Sequence, residues 1–527
     1  MWDYIVVGAG TAGCVVASQL TADPRRKVLL LEAGGRPTLP VKMPAGMVKL
    51  FKGPHDWAFE SEPQAACSGQ VVFTPRGKML GGSANMNAQI HQWCHPADFD
   101  GWAAAGAEGW SWTDVAPVFR RMERWTGAGP DDQRRGGLGP MEVASVSDPS
   151  PISLAFVEAA RRAGLDGPED YNAGPYEGAW LTQLAHRRGE RFSVYDAYLK
   201  PALKRPNLKV LTGAHVTRLI LENGRAIGVE TISDEGVNVH RTGAGVVMCA
   251  GAFGTPQILM LSGIGPASQL SALGLPVVVD RAQIGENLQD HPLAGLNFAA
   301  RRPITLKSAE TLSQLLRWLV FRNGLLATNG VEAMAFTSVL DPAAPDLELM
   351  LAIVEWRDQA LTPPSTHAFA LAAAVLTPRS RGRVWLKSPS PRAAPAIDFG
   401  LLTDAEAHDA SVLLEGARLI RRLVATEPLA SQTTGELEPS VHAQSDDDLL
   451  AYLKTQIQTV YHPCGTCRMG GDAAAPVGPD LKLRGVENCW VADASVMPVI
   501  PRGHPNAVVA MIAQRAADRL TGALATA

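Results

Sequence analysis

"YIVVGAGTAGCVVASQL", Tyr4 to Leu20, with "KVLLLEAG", Lys27 to Gly34, decides the fold. An apolar run of strand length, Tyr4 to Val7, breaks into Gly8, Gly10 and Gly13 at GxGxxG spacing. A helical pattern follows through Leu20, and a second apolar run ends on Glu32. Gly8 suits the tight turn, Gly10 lets a backbone approach a pyrophosphate, and Gly13 lets the helix pack close to the strand. Thr11 and Ala12 open the helix, whose first turn offers free N–H groups and a positive dipole end to phosphate. Glu32, with Ala33 beside it, is placed for the ribose hydroxyls of adenosine. Strand, glycine turn, helix, second strand and acid in this order predict a Rossmann-type dinucleotide-binding unit in an α/β chain. The motif alone does not separate NAD from FAD.

The chain has 527 residues, 46% hydrophobic and 19% charged, which is ordinary globular composition and enough chain for two large lobes. Its net charge of −4 argues against nucleic acid as a partner. No run of about 18 apolar residues predicts a transmembrane helix. The N-terminus lacks the basic start of a signal peptide, so a cytoplasmic protein is expected. Seven scattered cysteines read as reduced thiols. Cys464 and Cys467 form a CxxC inside "YHPCGTCRMG", Tyr461 to Gly470. Zinc needs two further ligands, and no second pair exists at short spacing, so no metal is expected. Pro463 and Gly465 suggest a turn rather than the strand–helix setting of a redox CxxC. Packing is the expected role of both thiols, and His462 stays open.

Further along, "FTPRGKMLGGSANMNAQI", Phe73 to Ile90, is a glycine-rich loop of the kind that lines ligands. Asn223–Gly224 predicts a hairpin turn. "GVVMCAGAFGTPQILMLSGIGP" reads as a buried strand, a glycine turn and a helix opening near Thr255–Pro256, closed by Gly263 and Gly265. "GENLQDHP", Gly285 to Pro292, reads as a compact polar turn, and "CWVADASVMP" as a buried strand and turn. "NAVVAMIAQRAADRL" is a helix that Asn506 is placed to cap. Between them, "LELMLAIVEW" and "FALAAAVLTP" alternate as strands do. "LSQLLRWLVF" is expected to pack in the core or roof a pocket rather than touch a membrane, because Arg317 interrupts it and Arg322 follows.

Together these motifs, in this order and over nearly the whole chain, resemble the glucose–methanol–choline (GMC) flavoprotein oxidoreductases. The resemblance implies FAD and a Rossmann-type FAD-binding domain with an inserted α+β substrate domain built on an antiparallel sheet. It divides the chain into an FAD domain at 1–298, with substrate-domain insertions around 40–65 and 145–195. A substrate domain at 299–455 and a return to the FAD domain at 456–527 follow. His462 resembles the family's catalytic base, and His504 in "RGHPN" falls on its second active-site position. Arg76, Gly77, Gly81, Gly82 and Ser83 would surround the pyrophosphate and ribityl chain. Asn85, Met86, Asn87 and Ala88 continue that loop, with Asn87 touching the flavin through its amide. Some relatives attach FAD through a His where this chain has Met86, so the cofactor is expected to be non-covalent. Val216 sits where relatives bind adenine. Ala250 and Gly251, Asp493 and Ala494, and the run His504, Pro505, Asn506 and Ala507 complete the implied cofactor contacts.

The resemblance implies oxidation of an alcohol carbon by hydride transfer to flavin, and a primary alcohol, aromatic alcohols included, going to the aldehyde is the expected substrate. Oxygen or another acceptor would take the electrons. Histidine suits the proton removal because its pKa lies near working pH, and a second imidazole can fix the hydroxyl. A non-redox lyase of the same fold, hydroxynitrile lyase-like, is the alternative. His91, Trp93, Glu355 and Trp356 are candidate pocket walls.

Overall fold

The computed structural model describes residues 1–127, 134–174, 176–439 and 443–523. Two seven-stranded sheets organise them. In the first, the strands run in the order Leu208–Thr212, Val28–Glu32, Trp2–Val7, Gly236–Met248, Arg225–Ser233 and His215–Glu222. Cys489–Val491 adds in parallel to the end of Gly236–Met248. The first four strands are parallel; Val28–Glu32 is buried throughout, and Ile5–Val7 and Val246–Met248 are the buried apolar ends of the next two. Asn223 and Gly224 both have positive φ in the expected hairpin turn. Helix α1, Thr11–Leu20, follows the first strand, and a Cβ on Gly13 would lie 1.8 Å from the Gly8 carbonyl oxygen. That close helix–strand approach is why the third glycine is needed.

The helix expected near Thr255 starts earlier. Helix α2 spans Gly251–Leu261 and holds Pro256 inside it. Proline lacks the N–H that would bond the Ala252 carbonyl one turn back. Thr466 Oγ1 donates to that carbonyl instead, at 2.6 Å, so the break is repaired from a distant segment.

The second sheet is antiparallel, in the order Thr433–Glu438, Pro292–Ala300, Ala368–Val375, Leu347–Ala352, Val331–Thr337 and Gly178–Leu181. The domain boundary expected at 298 therefore falls inside the strand Pro292–Ala300. Gln458–Thr459 also pairs with that strand, so the chain leaves this sheet after 455. Period-two alternation sorts the two faces. Leu296, Phe298, Leu349, Leu351, Leu371 and Ala373 pack into a core with Val412, Leu413 and Ile420. The last three lie on a helix, His408–Val424. Gly295, Met350, Ala352, Ala370 and Ala372 point the other way, into a cavity against the first sheet.

Helix α3, Leu312–Phe321, departs from expectation. Only Trp318 is buried, and the helix's other apolar side chains face outward. The final helix, α4, Asn506–Thr521, has Pro505 at its N-cap position and no side-chain cap, so Asn506 does not cap it. Asn506 Nδ2 donates to Thr11 Oγ1 at 2.9 Å and ties α4 to α1.

Candidate active site

One long cavity runs between the carboxyl ends of the parallel strands and the inner face of the antiparallel sheet. The crevice at strand carboxyl ends is where doubly wound sheets bind ligands. Gly8, Gly10, Thr11, Ala12, Glu32, Ala33, Val216, Ala250 and Gly251 line one end. Glu32 accepts from the N–H groups of Ala9 and Gly34 at 2.9 and 2.8 Å, and burial pushes its carboxyl up to about 7. Asp493 accepts from Gly251 N–H and Thr255 Oγ1, which fixes the start of α2. Burial raises its pKa.

This end fits a dinucleotide. Gly10 at the α1 N-terminus makes no side-chain cap, so the first-turn N–H groups are left for an anion. A Cβ on Gly82 would lie 2.6 Å from Gly10 Cα, and one on Gly77 2.2 Å from the Gly82 carbonyl carbon. The two glycine loops thus meet backbone to backbone, with Gly82 at φ +51. Arg76, Gly77, Ser83, Met86, Asn87 and Ala88 continue the wall, as do Ala494, Pro505 and Asn506.

Four expected cofactor contacts are not on the cavity: Gly13, Gly81, Asn85 and Ala507. Asn85 is engaged elsewhere, its Nδ2 donating to Leu80 O and its Oδ1 accepting from Ser193 Oγ. Gly81 is held at φ +95 and donates its N–H to Ala9 O. Gly13 and Ala507 are buried packing positions. Arg76 lies on the cavity, but its Nη2 donates to Tyr461 O at 2.6 Å.

That bond belongs to the opposite end of the cavity, where His462 is placed by a bulge. Val460 N–H donates to His291 O, and Cys464 and Gln289 exchange both backbone bonds. Tyr461, His462 and Pro463 therefore stand opposite Asp290 alone. Such bulges re-aim side chains beside active sites. The Tyr461 backbone is left-handed at φ +64, a conformation that survives only when its surroundings enforce it. Arg76 grips the carbonyl of the Tyr461–His462 peptide, and Asp290 Oδ1 accepts its N–H at 2.8 Å. Burial pushes the Asp290 carboxyl up to about 7.

The His462 and His504 rings meet edge to face, centroids 4.9 Å apart, and both line the cavity. Their other contacts point away from each other. His462 Nδ1 lies 3.0 Å from His291 Nδ1, and His504 Nε2 lies 2.9 Å from Glu348 Oε1. Burial, then the neighbouring His504, His291 and Arg76, hold His462 well below the usual histidine range. Burial brings fully enclosed His291 down to about 3. No well-formed hydrogen bond reaches His291 Nε2, but the carbonyls of Leu376 and Pro501 are close enough to favour a ring N–H.

His291, Asp290 and Glu348 escaped the sequence reading. The first two sat in plain view in "GENLQDHP". Glu348 is the acid in the apolar strand Leu347–Ala352, on the same face as Met350 and Ala352. Of the candidate pocket walls, only Trp356 is on the cavity. His91 and Trp93 both bond Glu123 in a separate buried network, and Glu355 accepts from Ser365 and Thr366. Cys464 and Cys467 are wholly enclosed, and burial raises both thiols.

Comparison with known proteins agrees with this geometry. The sequence model of the GMC oxidoreductase family matches residues 2–293 with its N-terminal part and 378–513 with its C-terminal part. An uncharacterized GMC-type oxidoreductase of Mycobacterium tuberculosis is 40% identical over 523 residues, 98% of each chain. An oxygen-dependent choline dehydrogenase of Sinorhizobium fredii is 36% identical over 529 residues, covering 99% of this chain and 95% of its own. A solved pyridoxine 4-oxidase from Mesorbium loti superposes with a TM-score of 0.91 at 32% identity over 99% of both chains. The chain therefore belongs to the GMC oxidoreductases, FAD-dependent enzymes that act on CH–OH donors.

Proposed function

We propose that this enzyme oxidises an uncharged primary alcohol, carried on an apolar or aromatic group, to the aldehyde, with FAD held non-covalently. The observation that carries the reading is the facing pair His462 and His504, each tied from behind by a buried partner. FAD, when bound, supplies the hydride acceptor. Gly8 to Ala12, Glu32, Ala33, Arg76 to Ala88 where they reach the cavity, Val216, Ala250, Gly251, Asp493, Ala494 and Pro505 to Asn506 would hold it.

The ring tautomers follow from the partners behind them. With its hydrogen on Nε2, towards the carbonyls of Leu376 and Pro501, His291 presents a lone pair at Nδ1. His462 then donates its Nδ1–H to His291 and keeps a free lone pair at Nε2. That nitrogen accepts the alcohol's hydroxyl proton. The low pKa of His462 keeps it unprotonated and ready at neutral pH. His504 donates Nε2–H to Glu348, so Nδ1 is the nitrogen left to orient the hydroxyl group.

Substrate class is argued from the wall. Gly295, Ala352, Ala370 and Ala372 leave room, and Leu293, Met350, Trp356 and Val460 make the surface apolar. The carboxylates among the described lining residues are Glu32 and Asp493, both at the nucleotide end. A quaternary ammonium substrate would call for aromatic faces with an acid beside them. An uncharged alcohol suits this wall better than choline.

The test is anaerobic mixing of the yellow protein with benzyl alcohol or choline while the flavin band is followed. Benzyl alcohol is expected to bleach it and choline to leave it yellow. Faster bleaching by choline would overturn the uncharged-substrate reading. Met86, where relatives carry the linking His, supports the non-covalent link, so acid precipitation should leave flavin in the supernatant. A yellow pellet would refute it.

A further inference from the structure

Helix α3 presents its apolar side to solvent, which inverts the usual arrangement of a surface helix. Leu312, Leu316, Val320 and Phe321 are 71, 52, 68 and 70% exposed, and Leu315 and Leu319 are exposed as well. At 3.6 residues per turn, Leu312, Leu315, Leu316, Leu319 and Val320 fall on one continuous stripe. Trp318, fully buried on another side, anchors the helix by donating Nε1–H to Gly189 O at 2.9 Å. The stripe is therefore held outward by a fixed contact.

The surroundings are basic. Residues 36–52 carry Arg36, Lys42, Lys49 and Lys52 and no acid, and 307–322 carry Lys307, Arg317 and Arg322 against Glu310 alone. These segments adjoin: Lys49 pairs with Glu310 at 2.6 Å, and Ala45 N–H donates to Leu326 O. Lys42, Lys52, Arg317 and Arg322 have acidic partners in Asp196, Glu60, Asp148 and Glu190. Lys307 instead donates to the carbonyls of Pro364 and Ser365, leaving its charge uncompensated by them. Leu39, 59% exposed, is a further exposed apolar side chain of the first segment. All this sits on a chain whose net charge is −4.

We infer that α3 and its basic rim dock on an anionic lipid surface, the stripe entering the headgroup boundary and the cations meeting lipid phosphates. A stripe of Leu and Val with Lys and Arg around it, and Phe321 exposed beside it, is the chemistry of an interfacial helix. Self-association through a two-fold axis would set the same basic rim against itself, which like charge disfavours. No helix among the described residues is long and apolar enough to cross a membrane, so the contact is one of surface only. Residues 36–52 also supply Met47 and Phe51 to the cavity wall, so the docking face and the alcohol end share a segment. The docking itself does not depend on which alcohol is oxidised.

The test is flotation of the FAD-loaded protein with vesicles of phosphatidylcholine, alone or with about 30% phosphatidylglycerol, at low and high salt. Binding to the anionic vesicles is expected to exceed binding to phosphatidylcholine by about tenfold or more, and to fall with salt. Leu316→Ser with Val320→Ser and Phe321→Ser should lower it by about tenfold or more, with flavin content and alcohol-dependent bleaching unchanged. Lys307→Glu with Arg317→Glu should weaken it without touching the stripe. Failure of the wild-type protein to float with anionic vesicles, or undiminished flotation of the serine variant, overturns the inference. A dimer in sedimentation analysis that the serine substitutions dissolve would assign the face to a second copy and overturn it equally.

Discussion

The two ends of the cavity are built differently. The nucleotide end is made largely of backbone: Gly8, Gly10, Gly77 and Gly82 bring two loops so close that a Cβ at Gly82 meets Gly10 Cα at 2.6 Å. The alcohol end is made of side chains from four distant segments, His291, Glu348, His462 and His504, joined by two hydrogen bonds of 3.0 and 2.9 Å. A backbone cradle has no slack for added atoms but little interest in side-chain chemistry. A side-chain cluster tolerates changes of volume and depends on which nitrogen holds a proton. Damage at one end should empty the site, and damage at the other should leave it full and slow.

The sharpest test of that division is Gly82→Ala, whose Cβ has no room and whose φ of +51 disfavours any side chain. The protein is expected to fold and to purify without its visible flavin band; a fully yellow variant would break the comparison. Next is His462→Ala, expected to keep its flavin and to lose roughly 10²–10⁴-fold in the rate of alcohol-dependent bleaching. Loss of flavin in that variant would mean the two ends are not separable. Smaller, about 10–100-fold, is the effect expected of Glu348→Gln, which keeps the shape but removes the charge behind His504. Its rate-against-pH profile should move as well, which a merely structural role would not produce.

The mildest prediction concerns acid. In the proposed mechanism His462 acts when unprotonated, and its pKa is held well below the ordinary value of about 6.5. The bleaching rate should therefore persist as pH falls through 6.5 and be lost only below it. Folding stability runs in a related sense for His291, lowered to about 3. The unfolded chain binds a proton there that the folded one refuses, so this group costs stability progressively as pH drops from about 6.5 towards 3. Asp290, raised to about 7, works oppositely, since its folded form holds a proton that the unfolded chain releases above about pH 4. Urea titrations of wild type and His291→Asn across that range separate the two contributions; an unchanged acid limb in the variant would discount His291.

Local motifs were legible because their physics is local. The GxGxxG turn needs glycine for its own φ and for contacts within one strand–turn–helix unit, and Asn223–Gly224 makes its turn from two adjacent residues. Pro256 misled the reading of α2 because the repair of its missing hydrogen bond comes from Thr466, about two hundred residues on. Asn506 looked like a cap and instead reaches Thr11. In α3 the helical period was read correctly and its burial wrongly, since periodicity marks a stripe without saying which way the helix turns it.

The sequence by itself determined the strand–glycine turn–helix unit of the nucleotide-binding sheet and the alternating strands of the middle segment, while the antiparallel sheet and the pairing of His462 with His504 came from the family resemblance. Glycine spacing and period-two patterning act over a few residues and need no partner. Only the tertiary structure decided that a bulge opposite Asp290 aims His462, that His291 and Glu348 stand behind the pair, and that α3 faces outward. Each depends on which distant strands pair and in what register, and pairing energy is shared across many weak contacts that no single stretch of sequence contains.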